Sequence, residues 1–133
     1  MDFLYYVLAY DVWFYMVHRL LHVPYLYKRY HYQHHAHTHP TCHDTFTAHA
    51  VENVFSGLGI VWPFLFGCSK YHGVAAWLFC FGRGIARHDR RCAWLFGTHH
   101  LQHHITPGVN FSAVYIDWLC GTRANMRKVN RKS

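Results

Sequence analysis

The chain has 133 residues, of which 52% are hydrophobic, 19% aromatic and only 14% charged. The charged share lies below the roughly 25% typical of soluble domains, which argues against disorder and against an ordinary water-exposed surface. Lys and Arg outnumber Asp and Glu by 13 to 6. The basic residues flank apolar runs instead of forming a patch, which argues against nucleic-acid binding, and the length predicts a single domain, 1–133.

Three apolar runs, 2–22, 51–67 and 73–86, predict membrane segments. The first would be about 31 Å long as an α-helix, enough to cross a bilayer. The other two are shorter and flank a turn at 67–70, so they predict either a spanning or a re-entrant hairpin. If the hairpin spans, every basic residue except Lys70 lies on the side of the histidines, which the positive-inside rule places in the cytosol. The predicted fold class is all-α, with integral membrane helices and a cytosolic His-rich helical cap.

Histidine is the residue type that points to chemistry, with 15 copies in the chain. Three groups have helical spacing: HRLLH at 18–22, HYQHH at 31–35 and HLQHH at 100–104. Positions i, i+3 and i+4 share one face of a helix, so each group is predicted to aim its imidazoles at one point. Eight converging histidines exceed the ligand number of one ion and favour two. Neutral imidazole suits Fe, Zn, Cu and Ni.

Asp11 lies on one helical stripe with Tyr15, His18 and His22. A metal-bound histidine usually donates its other ring N–H to a carboxylate or a carbonyl. Asp11 is therefore a candidate to orient a ligand histidine. The alternative is that Asp11 pairs with a nearby Arg; an unpaired carboxylate is too costly to face lipid.

The ordered set of motifs resembles the fatty acid hydroxylase/sterol desaturase superfamily, whose members are membrane non-haem di-iron oxygenases. The resemblance runs from about residue 11 to residue 122. It looks most like the sterol C4-methyl oxidases, with sphingoid-base C4-hydroxylases and sterol C5-desaturases similar too. The strings that carry it are DVWFY at 11–15, HRLLH at 18–22, LYK at 26–28, HYQHH at 31–35, HAVE at 49–52, HLQHH at 100–104, NFS at 110–112 and DWLCGT at 117–122.

The resemblance implies which residues bind metal. The implied ligands from the three motifs are His18, His22, His31, His34, His35, His100, His103 and His104. One or two further histidines are expected between the second and third motifs; His88 is the better candidate than His72, with Cys92 replacing a second His. Glu52 either contacts a ligand histidine or caps the following helix near its positive end. Asp117 is a further candidate to orient a ligand.

The activity implied by the resemblance is O2-dependent hydroxylation or desaturation of a lipid, which is a sterol, a sphingoid base or a fatty acyl chain. The implied cofactor is a pair of Fe ions with O2 as co-substrate, and Zn can occupy such sites in purified samples. The expected partners are the lipid, the membrane and an electron donor such as cytochrome b5 or a ferredoxin with its reductase. Arg87, Arg90 and Arg91 are candidates to dock that donor or to contact lipid headgroups. The implied location is the endoplasmic reticulum in a eukaryote or the inner membrane in a bacterium.

Two other functions stay open. The same histidines would suit a non-catalytic metal-binding or metal-transport membrane protein, as the HAHTH run at 35–39 suggests. A degenerate family member would instead keep the metal as a structural element. Relatives usually have another membrane hairpin before the first motif, so the chain is expected to be either truncated at its N-terminus or naturally minimal.

Overall fold

The structure, a computed structural model, describes residues 2–67 and 69–124. Over these residues the fold is all-helical, as predicted, and contains no strand. The α-helices are α1 (Asp2–Leu21), α2 (Pro24–Leu26), α3 (Ala50–Leu58), α4 (Lys70–Arg87), α5 (Ala93–Phe96), α6 (His99–Ile105) and α7 (Val114–Leu119). One π-helical turn (Tyr27–His31) and four 3₁₀ turns (His34–Ala36, Cys42–Phe46, Trp62–Phe66, Arg90–Cys92) connect them.

The two longest helices, α1 and α4, pack along each other and form the frame of the molecule. Near the start of α1, Tyr6 and Val7 pack on Ala76 and Cys80 of α4. A second apolar cluster lies further along α1, where the buried ring of Tyr15 meets a segment near the C-terminal end of the described chain. The other members of that cluster are Phe111, Ala113 and Ile116. The two clusters contact α1 near its start and in its second half, and the buried Asp11 lies between them along the helix.

The two long helices show an unusual distribution of apolar side chains. The interior face of α1 carries Asp11, Tyr15 and His18, all buried. Its outer face exposes an unbroken aliphatic stripe at four-residue spacing: Leu4, Leu8, Val12, Met16 and Leu20. The outer face of α4 likewise exposes Tyr71, Val74, Leu78 and Phe81. A helix in water normally shows the opposite arrangement, with its apolar stripe inside.

The run at 51–67, predicted as one segment, is broken in the structure. Helix α3 ends at Leu58, and a separate 3₁₀ turn starts at Trp62. Pro63 cannot donate a backbone N–H and therefore does not continue an α-helix. Gly59 lies so close to α1 that a Cβ there would be 2.7 Å from Trp13 Cδ1, so the chain turns where only glycine fits.

The other two predicted segments each correspond to one helix. Helix α1 reproduces the predicted 2–22 to within a residue, and α4 extends the predicted 73–86 at both ends. Of the predicted turn at 67–70, Cys68 lies outside the described residues. Within 2–67 and 69–124, none of the helices has both the length and the apolarity needed to cross a membrane.

Candidate metal centre

The end of α1 supplies the first histidine pair. His18 is buried in the last turn of α1, and His22 follows directly after the helix ends at Leu21. Their four-residue spacing keeps both rings on one side of the chain. The ring centroids are accordingly only 5.1 Å apart.

The second motif lies in a tightly wound segment. The π-helical turn Tyr27–His31 is followed by the 3₁₀ turn His34–Ala36. His31 is completely buried, and its Nε2 lies within 3.1 Å of the Nε2 atoms of His18, His22 and His35. A single π-helical turn is rare and occurs often at functional sites, where it changes the direction of a side chain.

The third motif is on α6, and a ninth histidine joins it from the end of α4. His88 is the C-terminal cap residue of α4. Its Nε2 lies 3.0 Å from that of His100 and 3.1 Å from that of His34. The structure therefore places His88 beside the motif histidines.

The nine histidines form two groups, and within each group one ring nitrogen of every member lies within 4.8 Å of the others. The five-His group contains His18, His22, His31, His35 and His103. The four-His group contains His34, His88, His100 and His104. The groups adjoin each other, because the rings of His31 and His34, one from each, have centroids 5.4 Å apart.

The prediction that each motif aims at one point is wrong, because both HxxHH motifs divide between the two groups. In α6, His100 and His104 enter the four-His group while His103 enters the five-His group. At 3.6 residues per turn, positions i and i+4 differ by about 40° around the helix axis, whereas i+3 lies about 60° away on the other side. One helix therefore supplies ligands to two neighbouring centres.

The ring atoms that face away from the groups contact fixed acceptors. In four histidines Nδ1 lies against a backbone carbonyl oxygen: His18 with Phe111 (2.5 Å), His103 with Val109 (2.6 Å), His88 with Gly84 (2.9 Å) and His104 with His37 (3.2 Å). Because a carbonyl only accepts, these Nδ1 atoms carry the proton. The lone pair on each Nε2 is then available to the interior of its group.

In the second motif, the acceptor beside a histidine Nδ1 is the side chain of Glu52. Its carboxylate lies 2.8 Å from Nδ1 of His31. Glu52 occupies the third position of α3, where a carboxylate also complements the positive end of the helix. Of the two roles considered for Glu52, the structure shows the contact with a candidate ligand histidine, whereas the side chain that caps α3 is that of His49, whose Nδ1 accepts from the Val51 N–H. Burial raises the pKa of the Glu52 carboxyl to about 8, and a cation bound by the five-His group would favour its ionised form.

Burial also keeps the histidines neutral. Desolvation is the largest cause of a lowered pKa in all nine, and neighbouring imidazoles add to it in most of them. The pKa of His22 and that of His104 fall to about 4. Neutral imidazole is the form that binds a metal ion, so the groups need no prior deprotonation at neutral pH.

The donor set fits transition-metal ions. His104 Nε2 is buried and has no hydrogen-bond partner among the residues the structure describes, while its Nδ1 contacts a carbonyl oxygen. A buried, unpaired lone pair is costly unless a cation or donor compensates it. Nine neutral imidazoles without a thiolate or carboxylate among them suit Fe, Zn, Cu or Ni and not Mg or Ca.

Asp11 does not take the role suggested for it as an orienter of histidine. Its carboxylate forms a buried ion pair with Arg83 and accepts a 2.7 Å hydrogen bond from the Tyr115 hydroxyl. These contacts correspond to the alternative, a carboxylate paired with a nearby arginine. Asp11 therefore fixes α1 against α4 and α7 and contacts neither histidine group.

Asp117 supports the histidines indirectly, by holding the backbone of a nearby turn. Its carboxylate accepts hydrogen bonds from the backbone N–H groups of Phe111 and Ser112, both at 2.8 Å, and lies 3.0 Å from His99 Nε2. These contacts hold the turn whose Phe111 carbonyl reaches His18. Asp117 thus positions a histidine through the backbone and does not contact one of the nine directly.

Cys92 does not replace a second histidine of an HxxxH motif. Among the described residues it belongs to neither group. Helix α4 ends at Arg87, and Asp89 adopts an extended conformation (φ −108°, ψ 120°). The positions of His88 and Cys92 therefore do not share a helix face, although their spacing is four residues.

Most of the histidine contacts that the sequence did not predict are made by backbone carbonyl oxygens. Every residue has such an oxygen, so the residue type does not reveal which one will contact a histidine. The turn 109–111 supplies two of these contacts, and its conformation depends on Asn110, a fully buried residue with φ +60°. Asparagine tolerates this left-handed conformation better than most residues. The NFS string at 110–112 was the available signal, but only as part of a family pattern.

In the described part of the chain, an apolar cavity and an open groove lead to the histidines. A cavity of about 270 Å³ reaches His18, His34 and His88 and is lined mainly by apolar side chains. These include Tyr10, Phe14, Phe46, Ile60, Trp77 and Phe81. A wider, open groove of about 600 Å³ reaches His22 and carries Arg19 and Lys28.

Over the described residues, an all-helical frame surrounds two adjoining histidine groups that form a candidate metal centre, and an apolar cavity reaches both groups. The family model described as fatty acid hydroxylase matches residues 3–122, and the chain belongs to this family. The resemblance recognised from the motifs is thereby confirmed, and two methylsterol monooxygenases, described next, confirm its likeness to the sterol C4-methyl oxidases.

Two curated relatives come from Arabidopsis thaliana. Methylsterol monooxygenase 2-2 is 31% identical over 145 residues, covering 95% of this chain and 53% of the relative. Methylsterol monooxygenase 2-1 is 30% identical over 157 residues, covering 95% and 57%. The chain thus spans about half the length of the curated relatives it matches. No solved structure matches the chain.

Proposed function

We propose that the chain is a single domain, 1–133, of an O2-dependent lipid hydroxylase or desaturase with a histidine-ligated di-iron centre. The observation that carries this proposal is the convergence of nine buried or half-buried histidines into two adjoining groups. Membership of the fatty acid hydroxylase family and the likeness to two methylsterol monooxygenases support it.

The five-His group would hold one iron ion and the four-His group the other. When bound, two ferrous ions supply electrons to O2 and hence the oxidising power that an unactivated C–H bond requires. The protein residues keep each Nε2 directed inward, through the carbonyl contacts and through Glu52. Zn²⁺ binds imidazole sites more tightly than Fe²⁺, so zinc in a purified sample is compatible with an iron enzyme.

The apolar cavity is the proposed binding site for the lipid. Its walls are mainly aromatic and aliphatic, and histidines of both groups, His18 and His34, lie at its edge. An apolar segment bound there would exclude water from the metal-facing end. The names of the two relatives favour a methylsterol over a sphingoid base or a fatty acyl chain.

The exposed apolar stripes support association with a membrane. The side chains of Leu4, Leu8, Val12, Met16 and Leu20 form a continuous line on α1, and contiguous apolar surface of this kind marks a lipid or protein contact. We place this face against the endoplasmic reticulum membrane or a bacterial inner membrane, with the histidine groups on the cytosolic side. A lipid would then reach the cavity without crossing water.

The electron donor is proposed to be an acidic redox protein such as cytochrome b5 or a ferredoxin with its reductase. The open groove carries Arg19 and Lys28 and reaches His22, the most exposed histidine of the five-His group. Opposite charge on a partner would speed its association there. Arg90 and Arg91 are exposed as well, whereas Arg87 is half-buried.

The test compares His103→Ala with His72→Ala, an exposed histidine that belongs to neither group. Iron-loaded full chain is assayed for metal content and for oxidation of a methylsterol with O2 and a reductant. The proposal expects His103→Ala to lose oxidation while the helical fold is kept, and His72→Ala to match the wild type. Metal flux across liposomes without oxidation would favour the transporter, and metal-dependent stability without O2 consumption would favour a structural site.

A further inference from the structure

Further histidines lie at the surface of the protein, outside the two groups. Of the six histidines that belong to neither group, His37, His39 and His43 fall within seven residues of one another, and all three are exposed. The same segment contains Asp44, a half-buried carboxylate. The segment 37–44 therefore presents imidazole and carboxylate together, and both are ligands that ions such as Zn²⁺ and Fe²⁺ accept.

Two side chains of this segment are placed to share one ion. Nε2 of His37 and Oδ1 of Asp44 are 3.8 Å apart, too far for a hydrogen bond. Metal–ligand distances of about 2.0–2.2 Å let one ion fit between two such atoms. The other carboxylate oxygen of Asp44 accepts from the backbone N–H and the hydroxyl of Thr41, at 2.8 and 2.9 Å, which fixes the carboxylate. We call His37 with Asp44 the surface pair.

The position of the surface pair, more than its distance, sets it apart. A second pair has similar geometry, because His72 Nδ1 lies 3.7 Å from Asp2 Oδ2. His72 precedes His88 by 16 residues, which is about 24 Å along α4. The surface pair is instead attached to the four-His group, since the carbonyl oxygen of His37 accepts from Nδ1 of His104 at 3.2 Å.

The charge of Asp44 reaches the four-His group. Burial lowers the pKa of His88 and that of His104, and in both the negative charge of Asp44 opposes this effect. A carboxylate at this distance attracts a cation towards this edge of the group. Arg91, which also reaches the segment, is paired with Asp89 at 2.7 Å and leaves that attraction in place.

The other approaches to the four-His group suit a metal ion less well. All four of its histidines are buried. The apolar cavity offers mainly aromatic and aliphatic walls, where a hydrated cation is costly to place. A small cavity of about 40 Å³ beside His100 has a positive net charge, because its charged lining residues are Asp11, Arg83 and Arg87. Over the described residues, the segment 37–44 combines exposed ligand atoms with negative charge.

We propose that His37 and Asp44 form a surface metal-capture site that passes a divalent transition-metal ion to the four-His group. The ion binds the surface pair, with water completing its coordination, and then exchanges these ligands for buried imidazoles without a change in oxidation state. The inference rests on the proposed function only in taking the four-His group as a metal site. It concerns how fast the ion enters and not how tightly it is finally held.

The experiment measures metal uptake without turnover. Metal-free full chain in a neutral detergent is mixed with Zn²⁺, and samples taken over time are treated briefly with a chelator, so that only ions inside the protein are counted. His37→Ala keeps the backbone carbonyl, and Asp44→Asn keeps an oxygen that can accept the same hydrogen bonds. The matched controls, His72→Ala and Asp2→Asn, alter the other exposed pair. Thermal unfolding of each variant checks that the fold is kept.

The proposal expects the wild type and both variants of the surface pair to reach about two ions per chain at equilibrium. One of the two ions should enter about tenfold more slowly in His37→Ala and in Asp44→Asn, the lower end of what a charged site adds to an association rate. The controls should keep the wild-type rate. Added salt should slow the wild type towards Asp44→Asn, because screening weakens the attraction.

Equal uptake rates in the wild type and in both variants of the surface pair would overturn the proposal. A permanent loss of one ion in either variant would overturn it too, because the surface pair would then belong to the final ligand set. A wild type that holds one ion at equilibrium would contradict the proposed two-ion centre. In that case the capture site fails only if uptake of this ion is independent of His37, so the two failures are distinguishable.

Discussion

His31 and Glu52 meet inside the protein, with Nδ1 of the imidazole 2.8 Å from the carboxylate. His31 is fully buried and Glu52 is 6% exposed, so water does not compete for this contact. Nε2 of the same ring lies at the centre of the five-His group, close to three other ring nitrogens. One carboxylate thus sets the orientation and the basicity of the most central imidazole.

Glu52→Gln is expected to weaken metal binding at the five-His group. The amide has the same shape but loses the negative charge that favours a cation bound at His31. Replacement of such a supporting group typically costs roughly 10-fold to 100-fold in metal affinity. Competition with a chelator measures this loss. Asp2→Asn, at the distant start of α1, is the control and should leave the affinity unchanged.

The two histidine groups are expected to bind metal separately. His88→Ala combined with His100→Ala removes two of the four ligands of one group and none of the other. Metal content should fall from about two ions per chain to about one, because the remaining pair does not complete a normal ligand set. Elemental analysis of the purified variant measures it. Loss of both ions together would show that the groups form a single cooperative site.

Helical spacing and family motifs mark eight of the nine histidines in the sequence, whereas His88 followed only from the expectation of a further histidine between the second and third motifs. The sequence was not sufficient to assign them to centres, since the division of each HxxHH motif depends on how its segment is oriented. For His31, His34 and His35 the π-helical and 3₁₀ turns set that orientation, and neither follows from local propensity.

Long-range partners were equally hard to predict. Asp11 and Arg83 are 72 residues apart, and the sequence offered Asp11 both a histidine and an arginine. Asp11 pairs with Arg83 because α1 packs on α4. The positions of residues along α1 do not by themselves predict that packing. The sequence predicted that the run forming α1 is apolar, but not that its aliphatic side chains lie on the outer face of the helix.

Asp11→Asn is expected to destabilise the fold by about 3–5 kcal/mol, because it leaves Arg83 buried without its counter-charge. The double variant Asp11→Leu with Arg83→Met should recover most of that loss, since it removes both charges from the interior. Denaturant unfolding in a neutral detergent measures each free energy. If the double variant were as unstable as Asp11→Asn, the cost would come from packing and the Tyr115 hydrogen bond instead.

Asn110 is expected to support the metal centre through its backbone conformation as well as its side chain. Its amide donates to the His99 carbonyl and its Oδ1 accepts from the Ala124 N–H at 2.7 Å. Asn110→Gly should lose these bonds at a cost of about 2 kcal/mol. Asn110→Ala should cost about 1 kcal/mol more, because a Cβ opposes a φ of +60°.

The comparison of glycine with alanine separates these two contributions, since both variants lack the amide. Denaturant unfolding at a fixed metal concentration gives the stabilities, and chelator competition reports whether the turn still presents the Val109 and Phe111 carbonyls to His103 and His18. Alanine should weaken metal binding at the five-His group more than glycine does. Equal stability of the two variants would mean that the left-handed conformation at this position is not what holds the turn.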